Sequence, residues 1–304
     1  MTAGDPERRA VAAFESPDDV ADRLLASGYL TDFTIADAVF LADRLAKPIL
    51  VEGPAGVGKT ELAKAVAAAS NRRLVRLQCY EGLDETKALY EWDYRKQLLR
   101  LQVELGPGGR PGWEQVSASL FSEEFLLARP LLEAIVAPAP VVLLVDEVDR
   151  LEPETEALLL EILSEFQVSV PELGTLRART LPLVFLTSNA TRDLSEALKR
   201  RCMFLPLAYP DPAREAEIIR LRVPEASQVL ARQVARIIAA IRTFRVRKQP
   251  SVSEAIDWAR ALVVLGVEEV DGPAIRRTLP LLLKYSEDLD LVWTELQPAE
   301  LPLS

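Results

Sequence analysis

The sequence predicts an α/β domain in which helices sandwich a parallel sheet, followed by a small all-helical domain. Short, almost wholly apolar strand patterns alternate with helical patterns as far as residue 209. Such alternation is typical of a parallel sheet that is covered on both faces. A glycine-rich loop at 53–60 joins one strand pattern to a helix pattern. After residue 212 only helical patterns follow, which indicates the second domain.

The elements of the first domain follow one another in a regular order. From residue 18 to residue 46 apolar residues recur at helical spacing, with a break at Gly28. The runs that we expect to form the sheet are 49–51, 74–77, 141–145, 183–186 and 203–207. The helical patterns between these runs cover 59–69, 123–136, 154–166 and 193–200. Residues 106–112 contain only glycine, proline and arginine, so we expect a loop there.

Composition divides the chain into three parts. We expect a polar, loosely ordered N-terminal tail at 1–17, the α/β domain at 18–209 and a helical lid domain at 210–304. Tyr209-Pro-Asp-Pro212 has the composition of a linker between the two domains. The helices expected after it are 214–222, 226–244, 252–265 and 272–283. A chain of 304 residues is long enough to bury a core in each domain.

Composition also excludes several classes of function. The chain has no histidine, which rules out histidine-based acid–base chemistry and metal sites that contain histidine. Its formal net charge of −10 disfavours a nucleic-acid partner. The two cysteines, Cys79 and Cys202, are predicted to be buried thiols of a reducing compartment. Because no run resembles a secretory signal or a membrane span, we expect a cytoplasmic protein.

Residues 53 to 60 read Gly-Pro-Ala-Gly-Val-Gly-Lys-Thr, a complete phosphate-binding loop. Glycines let the main chain curl until its N–H groups point at phosphate oxygens, and the next helix adds its positive N-terminal end. Lys59 can reach the β- and γ-phosphates, and the Thr60 hydroxyl can hold Mg²⁺. An ordinary glycine-rich turn is the alternative, which the flanking strand and helix make the weaker one. We therefore expect ATP to be bound by Gly53, Pro54, Ala55, Gly56, Val57, Gly58, Lys59, Thr60 and Glu61.

Two adjacent carboxylates, Asp146 and Glu147, follow the apolar run 141–145. In a nucleotide-binding parallel sheet the ligand lies beyond the carboxyl ends of the strands, where these residues are expected. Asp146 can hold Mg²⁺ through its waters, and Glu147 can polarise the water that attacks the γ-phosphate. An acidic turn after a buried strand is the alternative, which the upstream phosphate loop makes the weaker one.

Two further groups are candidates for the same reaction. Asn189 follows the run 183–186, and its amide can orient the attacking water or contact the γ-phosphate; helix capping is the alternative. Arg200 and Arg201 belong to a basic cluster before the last strand, where a solvated turn is the alternative. One of these arginines can act as a finger on a neighbouring subunit's γ-phosphate, which requires an oligomer with the site at its interface.

The order and spacing of these motifs resemble those of the AAA+ P-loop ATPases. Together with the phosphate loop, Val145-Asp-Glu-Val-Asp-Arg150 and the helix pattern 156–165 resemble the MoxR family within that group. The segment 77–95 is similar to that of the CoxD-type accessory ATPases of aerobic carbon monoxide dehydrogenase. The resemblance implies a homo-oligomeric ring, with a hexamer expected, that binds ATP and Mg²⁺. It also implies a protein client, for the CoxD type a molybdenum-containing oxidoreductase, and a von Willebrand A-domain partner.

The same resemblance assigns roles to individual residues. It assigns Asp146 to metal binding and Glu147 to activation of the attacking water. It makes Asn189 the first sensor, and it makes Arg201 the arginine finger, with Arg200 as the alternative. The family's second sensor, an arginine at the start of a lid helix, has no counterpart at 249–254. Either Arg245, Arg247 or Lys248 substitutes for it from the preceding turn, or the coupling to the lid is weak.

Several hypotheses of function therefore remain. The leading one is an enzyme that hydrolyses ATP to do conformational work on a client protein. A nucleotide-gated scaffold with little turnover is the alternative, for which the missing lid arginine leaves room. A DNA-associated motor is a weaker hypothesis, because the chain is acidic. A small-molecule kinase is also a weaker hypothesis, because the Asp-Glu pair favours hydrolysis by water. The segment 90–95 either grips the client or packs on the domain surface.

Overall fold

The computed structural model describes residues 12–104 and 120–296, so the loop predicted at 106–112 lies outside the described residues. The described residues form two compact units. The first holds those of Met1–Arg23, Asp32–Glu52 and Ala63–Leu205, and the second those of Leu24–Thr31, Gly53–Leu62 and Pro206–Ser304. The domain boundaries that the sequence suggests, after residues 17 and 209, stay predictions.

The described residues contain nine strands. In chain order they are β1 (Ile49–Glu52), β2 (Arg73–Gln78), β3 (Tyr90–Trp92), β4 (Leu126–Ala128), β5 (Val141–Asp146), β6 (Gln167–Val170), β7 (Gly174–Arg177), β8 (Leu183–Ser188) and β9 (Met203–Pro206). Five of them form a parallel sheet in the order β2-β5-β8-β1-β9, which confirms the predicted sheet. All residues of β5 and β8 are buried, which explains why both are continuous apolar runs.

The helices of the same residues agree with the predicted alternation. They are α1 (Pro17–Ala26), α2 (Phe33–Leu45), α3 (Lys59–Ala69), α4 (Glu85–Ala88), α5 (Tyr94–Glu104), α6 (Pro130–Val136), α7 (Pro153–Glu165), α8 (Glu196–Arg201), α9 (Pro212–Arg222), α10 (Gln228–Thr243), α11 (Val252–Val264), α12 (Gly272–Thr278) and α13 (Ser286–Glu295). Serine or aspartate caps begin many of them, for example Ser195 before α8 and Ser251 before α11.

The register of the sheet brings the ends of its strands to one edge. Gln78 at the end of β2 lies opposite Asp146 at the end of β5, and Glu52 at the end of β1 lies opposite Ser188 at the end of β8. Residues that follow β2, β5 and β8 therefore start from the same edge of the sheet, as the sequence predicts.

Two predicted helices differ from the structure. The pattern at 123–136 is not one helix, because Leu126 pairs with Trp92 in the β3–β4 ladder and α6 begins only at Pro130. Proline lacks the N–H that a helix interior needs, but it is well suited to the first turn. In the same way the pattern at 272–283 ends as an α-helix at Thr278, and a short 3₁₀ turn containing Pro280 follows.

Residues 12–17, the part of the loose tail expected at 1–17 that the structure describes, are held by packing and hydrogen bonds. Residues 1–11 lie outside the described part of the chain, but Phe14 is buried and α1 already begins at Pro17. The backbone N–H groups of Ala13 and Phe14 donate to the Asp43 carboxylate, at 2.6 and 3.4 Å. An apolar side chain and a buried acceptor on α2 therefore fix this part of the segment.

The C-terminal helices form the core of the second unit. Trp258 of α11 is fully buried, and its indole Nε1 donates to Thr278 Oγ1 at 2.7 Å. Gln233 of α10 accepts a hydrogen bond from the Val270 backbone N–H at 2.8 Å. The buried polar groups of this core are thus paired among its own helices, in agreement with the predicted all-helical character of the region.

Candidate active site

The phosphate loop lies between β1 and α3 in the chain, and its conformation requires its glycines. Gly56 and Gly58 have φ angles of 72° and 108°, in the left-handed region that favours glycine. A Cβ atom on Gly53 would lie 2.0 Å from the backbone oxygen of Leu207, a distance that no side chain can take. The backbone conformation and its close contacts therefore explain why positions 53, 56 and 58 are glycine.

Lys59 is the first residue of α3, and its side chain is almost completely buried. Its ammonium donates to the carbonyl oxygens of Gly53 and Pro54, at 2.7 and 2.8 Å. The loop thus holds the cation against its own backbone. Two residues later, Glu61 forms an ion pair with Arg222 of α9 at 3.2 Å.

Two parts of the C-terminal region contact the tip of the phosphate loop. The backbone N–H of Val252, at the start of α11, donates to the Gly56 oxygen at 3.2 Å. A Cβ atom on Gly56 would lie 2.3 Å from the Cβ of Ser251, so this contact leaves no room for a side chain. The Tyr209 hydroxyl donates to the Ala55 oxygen at 3.3 Å.

Arg242 of α10 connects these two contacts. Its guanidinium lies over the Tyr209 ring, 4.1 Å from the ring centre, and its Nε donates to the Pro250 oxygen at 2.9 Å. Both Nη atoms donate to Glu215 at 2.8 Å. Burial raises the pKa of Glu215, and the hydrogen bonds from Arg242 oppose that effect. One buried arginine therefore supports both segments that reach the loop.

The first carboxylate, Asp146, is buried at the end of β5 and has a partner on each oxygen. The Thr187 hydroxyl of β8 donates to Oδ1 at 2.5 Å. The Arg76 guanidinium of β2 donates to Oδ2 from Nη2 at 2.6 Å and from Nε at 3.1 Å. The two neighbouring strands thus fix the position of the carboxylate.

The second carboxylate, Glu147, stands where the chain turns away from the sheet. Its φ and ψ are 59° and 49°, a left-handed conformation that costs a residue with a side chain about 1–3 kcal/mol. The Glu147 backbone N–H donates to Thr187 Oγ1 at 2.9 Å, which supports that conformation. The side chain is one third exposed and pairs with Arg150 Nε at 2.9 Å. The carboxylate is therefore accessible to a water molecule.

Asn189 follows β8 and is tied to the loop after β5 through Asp149. The buried Oδ2 of Asp149 accepts from the backbone N–H groups of Asn189 and Thr191, at 3.2 and 3.1 Å, and from the Thr191 hydroxyl at 2.6 Å. Burial alone would raise the pKa of Asp149, but the hydrogen bonds from Thr191 and Asn189 outweigh it and lower that pKa. Glu147 and Asn189 are thereby held in neighbouring loops of one unit.

The two finger candidates end α8. Arg201 donates from Nε to Ser164 Oγ at 2.6 Å and from Nη1 to the Ala197 oxygen at 3.1 Å, and both arginines are exposed. A finger acts on a neighbouring subunit, so the role of Arg200 or Arg201 stays a prediction.

The three candidates for a second sensor precede α11. Arg247 pairs with Glu287 at 2.6 Å and lies over the Tyr285 ring, whereas Lys248 pairs with Glu254 at 3.2 Å. Arg245 is exposed. Their sensor role stays a prediction, but the residue at the start of the lid helix that contacts the phosphate loop is Ser251.

The segment 90–95 forms β3 and the start of α5. Trp92 is buried and makes edge contacts with Tyr90 and Phe121, at ring distances of 6.3 and 5.2 Å. This packing explains Trp92, whereas Tyr94 is 61% exposed. Of these two aromatic residues, Tyr94 is therefore the one exposed enough to contact a client, whereas Trp92 packs inside the domain.

Three residues that organise the carboxylates and their loops were not predicted from the sequence: Arg76, Asp149 and Thr187. Thr187 has a signal, because it is the first polar residue in a run of buried apolar ones. Arg76 has a weaker signal, as a charge in an alternating strand whose other face is buried. The two cysteines, in contrast, are buried thiols as predicted, and burial raises the pKa of each to about 12.

The donor set at Asp146 suits a magnesium ion. Among the residues that the structure describes, no group of three or more histidine, cysteine, aspartate or glutamate side chains is arranged to hold a metal ion. Magnesium is usually held by one or two carboxylates, with water and substrate phosphates completing its shell. The single well-ordered carboxylate of Asp146 fits that requirement.

Comparison with known proteins decides the family. The profile described as AAA domain (dynein-related subfamily) matches residues 48–202, more than half of the chain. The chain belongs to this AAA domain family. It is therefore an AAA+ P-loop protein of a nucleotide-hydrolysing family, and family members typically assemble as rings. In the described part of this AAA domain protein, no helix is both long and apolar enough to cross a membrane.

Individual relatives are distant. An uncharacterized protein of Staphylococcus saprophyticus is 23% identical over 252 residues, which cover 78% of this chain and 84% of that protein. Chaperone protein ClpB 2 of Thermosynechococcus vestitus is 26% identical over 289 residues, 84% of this chain but 29% of ClpB 2. This chain thus spans less than a third of that chaperone.

The solved structures that match this chain include RuvB of Thermotoga maritima. A RuvB mutant matches with a TM-score of 0.47 and 17% identity, covering 88% of this chain and 71% of RuvB. The structure titled RuvB Holliday junction branch migration motor has a TM-score of 0.45 and 17% identity, covering 82% and 67%.

Proposed function

We propose that this AAA domain protein hydrolyses ATP and uses the cycle to remodel or mature a client protein, as a MoxR-type chaperone. The observation that carries the proposal is the pair of carboxylates at the end of β5 and directly after it. Asp146 is fixed by the neighbouring strands, and Glu147 is turned outward by a left-handed backbone. The complete phosphate loop and membership of a nucleotide-hydrolysing family support the same function.

Binding would use the phosphate loop and α3. The loop N–H groups and Lys59 would hold the β- and γ-phosphates, and Lys59 would exchange its bonds to Gly53 and Pro54 for phosphate oxygens. Thr60 and Asp146 would contribute oxygen ligands for Mg²⁺. When bound, Mg²⁺ neutralises charge that develops on the phosphate oxygens.

Hydrolysis would depend on Glu147. Its carboxylate would orient a water molecule and accept the proton of that water as the oxygen attacks the γ-phosphate. For this step Glu147 must give up its ion pair with Arg150, which is a partly exposed pair and costs little to break. Asn189 would help to orient the same water, and Arg200 or Arg201 would reach the γ-phosphate of a neighbouring subunit.

The client and the assembly are further parts of the proposal. The resemblance of the motifs to the MoxR family of AAA+ ATPases supports a hexameric ring and a von Willebrand A-domain partner. The resemblance of the segment 77–95 to CoxD-type ATPases supports a molybdenum-containing oxidoreductase as client. The name of ClpB 2, a chaperone, supports work on proteins in general.

The experiment that tests the client proposal is capture on an arrested enzyme. We expect the Glu147→Gln variant, loaded with Mg²⁺ and ATP in cell extract, to retain a molybdenum-containing oxidoreductase or a von Willebrand A-domain protein. The Lys59→Ala variant, which cannot bind ATP in this proposal, is the control and should retain neither. Replication factors or DNA on the Glu147→Gln variant alone would contradict the proposed client.

A nucleotide-gated scaffold is the second candidate. The observation that favours it is the start of α11, where Ser251 and not an arginine meets the phosphate loop while Arg247 and Lys248 pair with acidic residues. The two functions differ in turnover. A scaffold would bind a client in an ATP-dependent way while the parent protein hydrolyses ATP no faster than Glu147→Gln.

A further inference from the structure

The Arg76 side chain reaches the carboxylate that would hold the metal. Arg76 and Gln78 point to the exposed face of β2, since the residues between and beside them, Val75 and Leu77, are buried. Gln78 lies opposite Asp146 in the register of the parallel pair. Arg76 therefore stands two residues before the position opposite Asp146, on the same face, within reach of a long side chain.

The contact is specific for one oxygen of Asp146. Arg76 donates to Oδ2 from both Nη2 and Nε, whereas Oδ1 accepts from the buried hydroxyl of Thr187. Gln78 Oε1 accepts a second hydrogen bond from Arg76 Nη2 at 2.5 Å, which keeps the guanidinium in place. The Asp146 side chain is 4% exposed, while that of Arg76 is 46% exposed. The cation can thus swing into solvent, but the carboxylate cannot.

We infer that the Arg76 guanidinium and Mg²⁺ compete for Asp146, so that loading the metal displaces an arginine that the fold supplies. This inference rests on the proposed function, in which Asp146 is a metal ligand. The buried carboxylate has a cationic partner in the absence of the metal, because an uncompensated buried charge is strongly unfavourable. Arg76 is then a positioning residue that keeps the Asp146 carboxylate oriented until the metal arrives.

The exposure of the Arg76 side chain sets how much its ion pair with Asp146 can change metal binding. An ion pair with one half-exposed partner contributes modestly, so its loss should change metal-dependent binding by about two- to fivefold. Lysine keeps the charge but not the two-pronged geometry of the guanidinium, so it should replace Arg76 only in part.

The first test compares the affinity for ATP in Mg²⁺ with that in EDTA, by calorimetry. The ratio of the two affinities cancels any change in ATP binding that does not involve the metal. We expect Arg76→Ala to increase the ratio about two- to fivefold and Arg76→Lys to give an intermediate value. Arg73→Ala is the matched control, since Arg73 is an exposed cation of the same strand that pairs with Glu133, and it should leave the ratio unchanged.

The second test needs no nucleotide and separates this inference from the proposed function. We expect millimolar Mg²⁺, at constant ionic strength, to raise the Tm of Arg76→Ala more than that of the parent or of Arg73→Ala. Adding Asp146→Asn to Arg76→Ala should remove the extra increase. Equal or smaller Mg²⁺ responses of Arg76→Ala in either test would overturn the inference. If the parent fails to bind ATP, the proposed function fails, and the Tm comparison still decides the role of Arg76.

Discussion

Thr187 shows how one hydroxyl can organise two neighbouring carboxylate residues. It is buried in β8, donates to Asp146 Oδ1 and accepts from the Glu147 backbone N–H. In a buried environment neither group can turn to bulk water if the hydroxyl is lost. Thr187 therefore contributes both to stability and to the shape of the candidate site.

Replacing Thr187 by valine tests this role because the two side chains have nearly the same shape. We expect Thr187→Val to lower the free energy of unfolding by about 1–3 kcal/mol, since two buried polar groups lose a partner. Urea denaturation measures the change, and Thr187→Ser, which keeps the hydroxyl, is the control. A loss of stability in Thr187→Ser with none in Thr187→Val would show that the methyl group and not the hydroxyl matters.

Glu156 of α7 predicts a dependence of stability on pH. Its Oε1 accepts from the Ser195 backbone N–H and its Oε2 from Arg192, both at 2.8 Å. Burial favours the neutral acid, but the hydrogen bonds from Ser195 and Arg192 outweigh burial and lower the pKa of Glu156. The folded protein therefore binds this proton less readily than the unfolded chain, whose glutamates titrate near about pH 4.3.

The sign of the effect follows from that shift. The contribution of Glu156 is fully present above the unfolded pKa and is lost as pH falls through the lower folded pKa. We expect the free energy of unfolding to fall less steeply below about pH 4.5 in Glu156→Gln than in the parent. Denaturation curves between neutral and acid pH measure this, and parallel curves for the two proteins would contradict the assignment.

At the scale of elements, the phosphate loop and the start of α11 form one packed contact. Ser251 begins α11 through a capping box with Glu254, and its side chain fills the space beside Gly56. Glycine is thus required at position 56 for two reasons: its backbone is left-handed, and Ser251 leaves no room for a Cβ atom. A matched control exists in Gly82, which has a similar φ of 77° but nothing within 4 Å of a new Cβ.

We expect Gly56→Ala to cost more stability than Gly82→Ala. Both substitutions place a Cβ on a left-handed backbone, which costs about 1–2 kcal/mol. Gly56→Ala adds a collision with Ser251, for which overpacking costs suggest another 1–3 kcal/mol. Thermal or urea denaturation measures both variants, and the same loss in each would mean that Ser251 moves aside freely.

The same scale shows what sequence can and cannot predict. The five strands of the sheet were predicted from short apolar runs, which are continuous in β5 and β8 because both strands are buried on both faces. The helix predicted at 123–136 is wrong, since pairing of Leu126 with Trp92 is a contact between distant segments. Arg76 and Asp149 escaped prediction for the same reason: their roles arise from register and loop packing, which no local pattern encodes.

At the scale of the whole molecule, the account places arginines of one subunit at the site of another. Such sharing predicts that two inactive variants restore activity when mixed. We expect Glu147→Gln, with intact arginines, and a double Arg200→Ala, Arg201→Ala variant, with an intact carboxylate, to hydrolyse ATP together faster than the sum of each alone. Lys199→Ala is the control for loss of charge on the same helix. A mixture no faster than the sum would contradict the shared site.

The most direct test of the central claim separates binding from turnover in Glu147→Gln. The account predicts that ATP affinity stays within about threefold of the parent while the rate of phosphate release falls by at least about 10²-fold, the usual contribution of a general base. Glu154→Gln, an exposed glutamate at the start of α7, should behave like the parent. Phosphate release by Glu147→Gln at the parent rate would contradict the assignment of Glu147 as the residue that activates water.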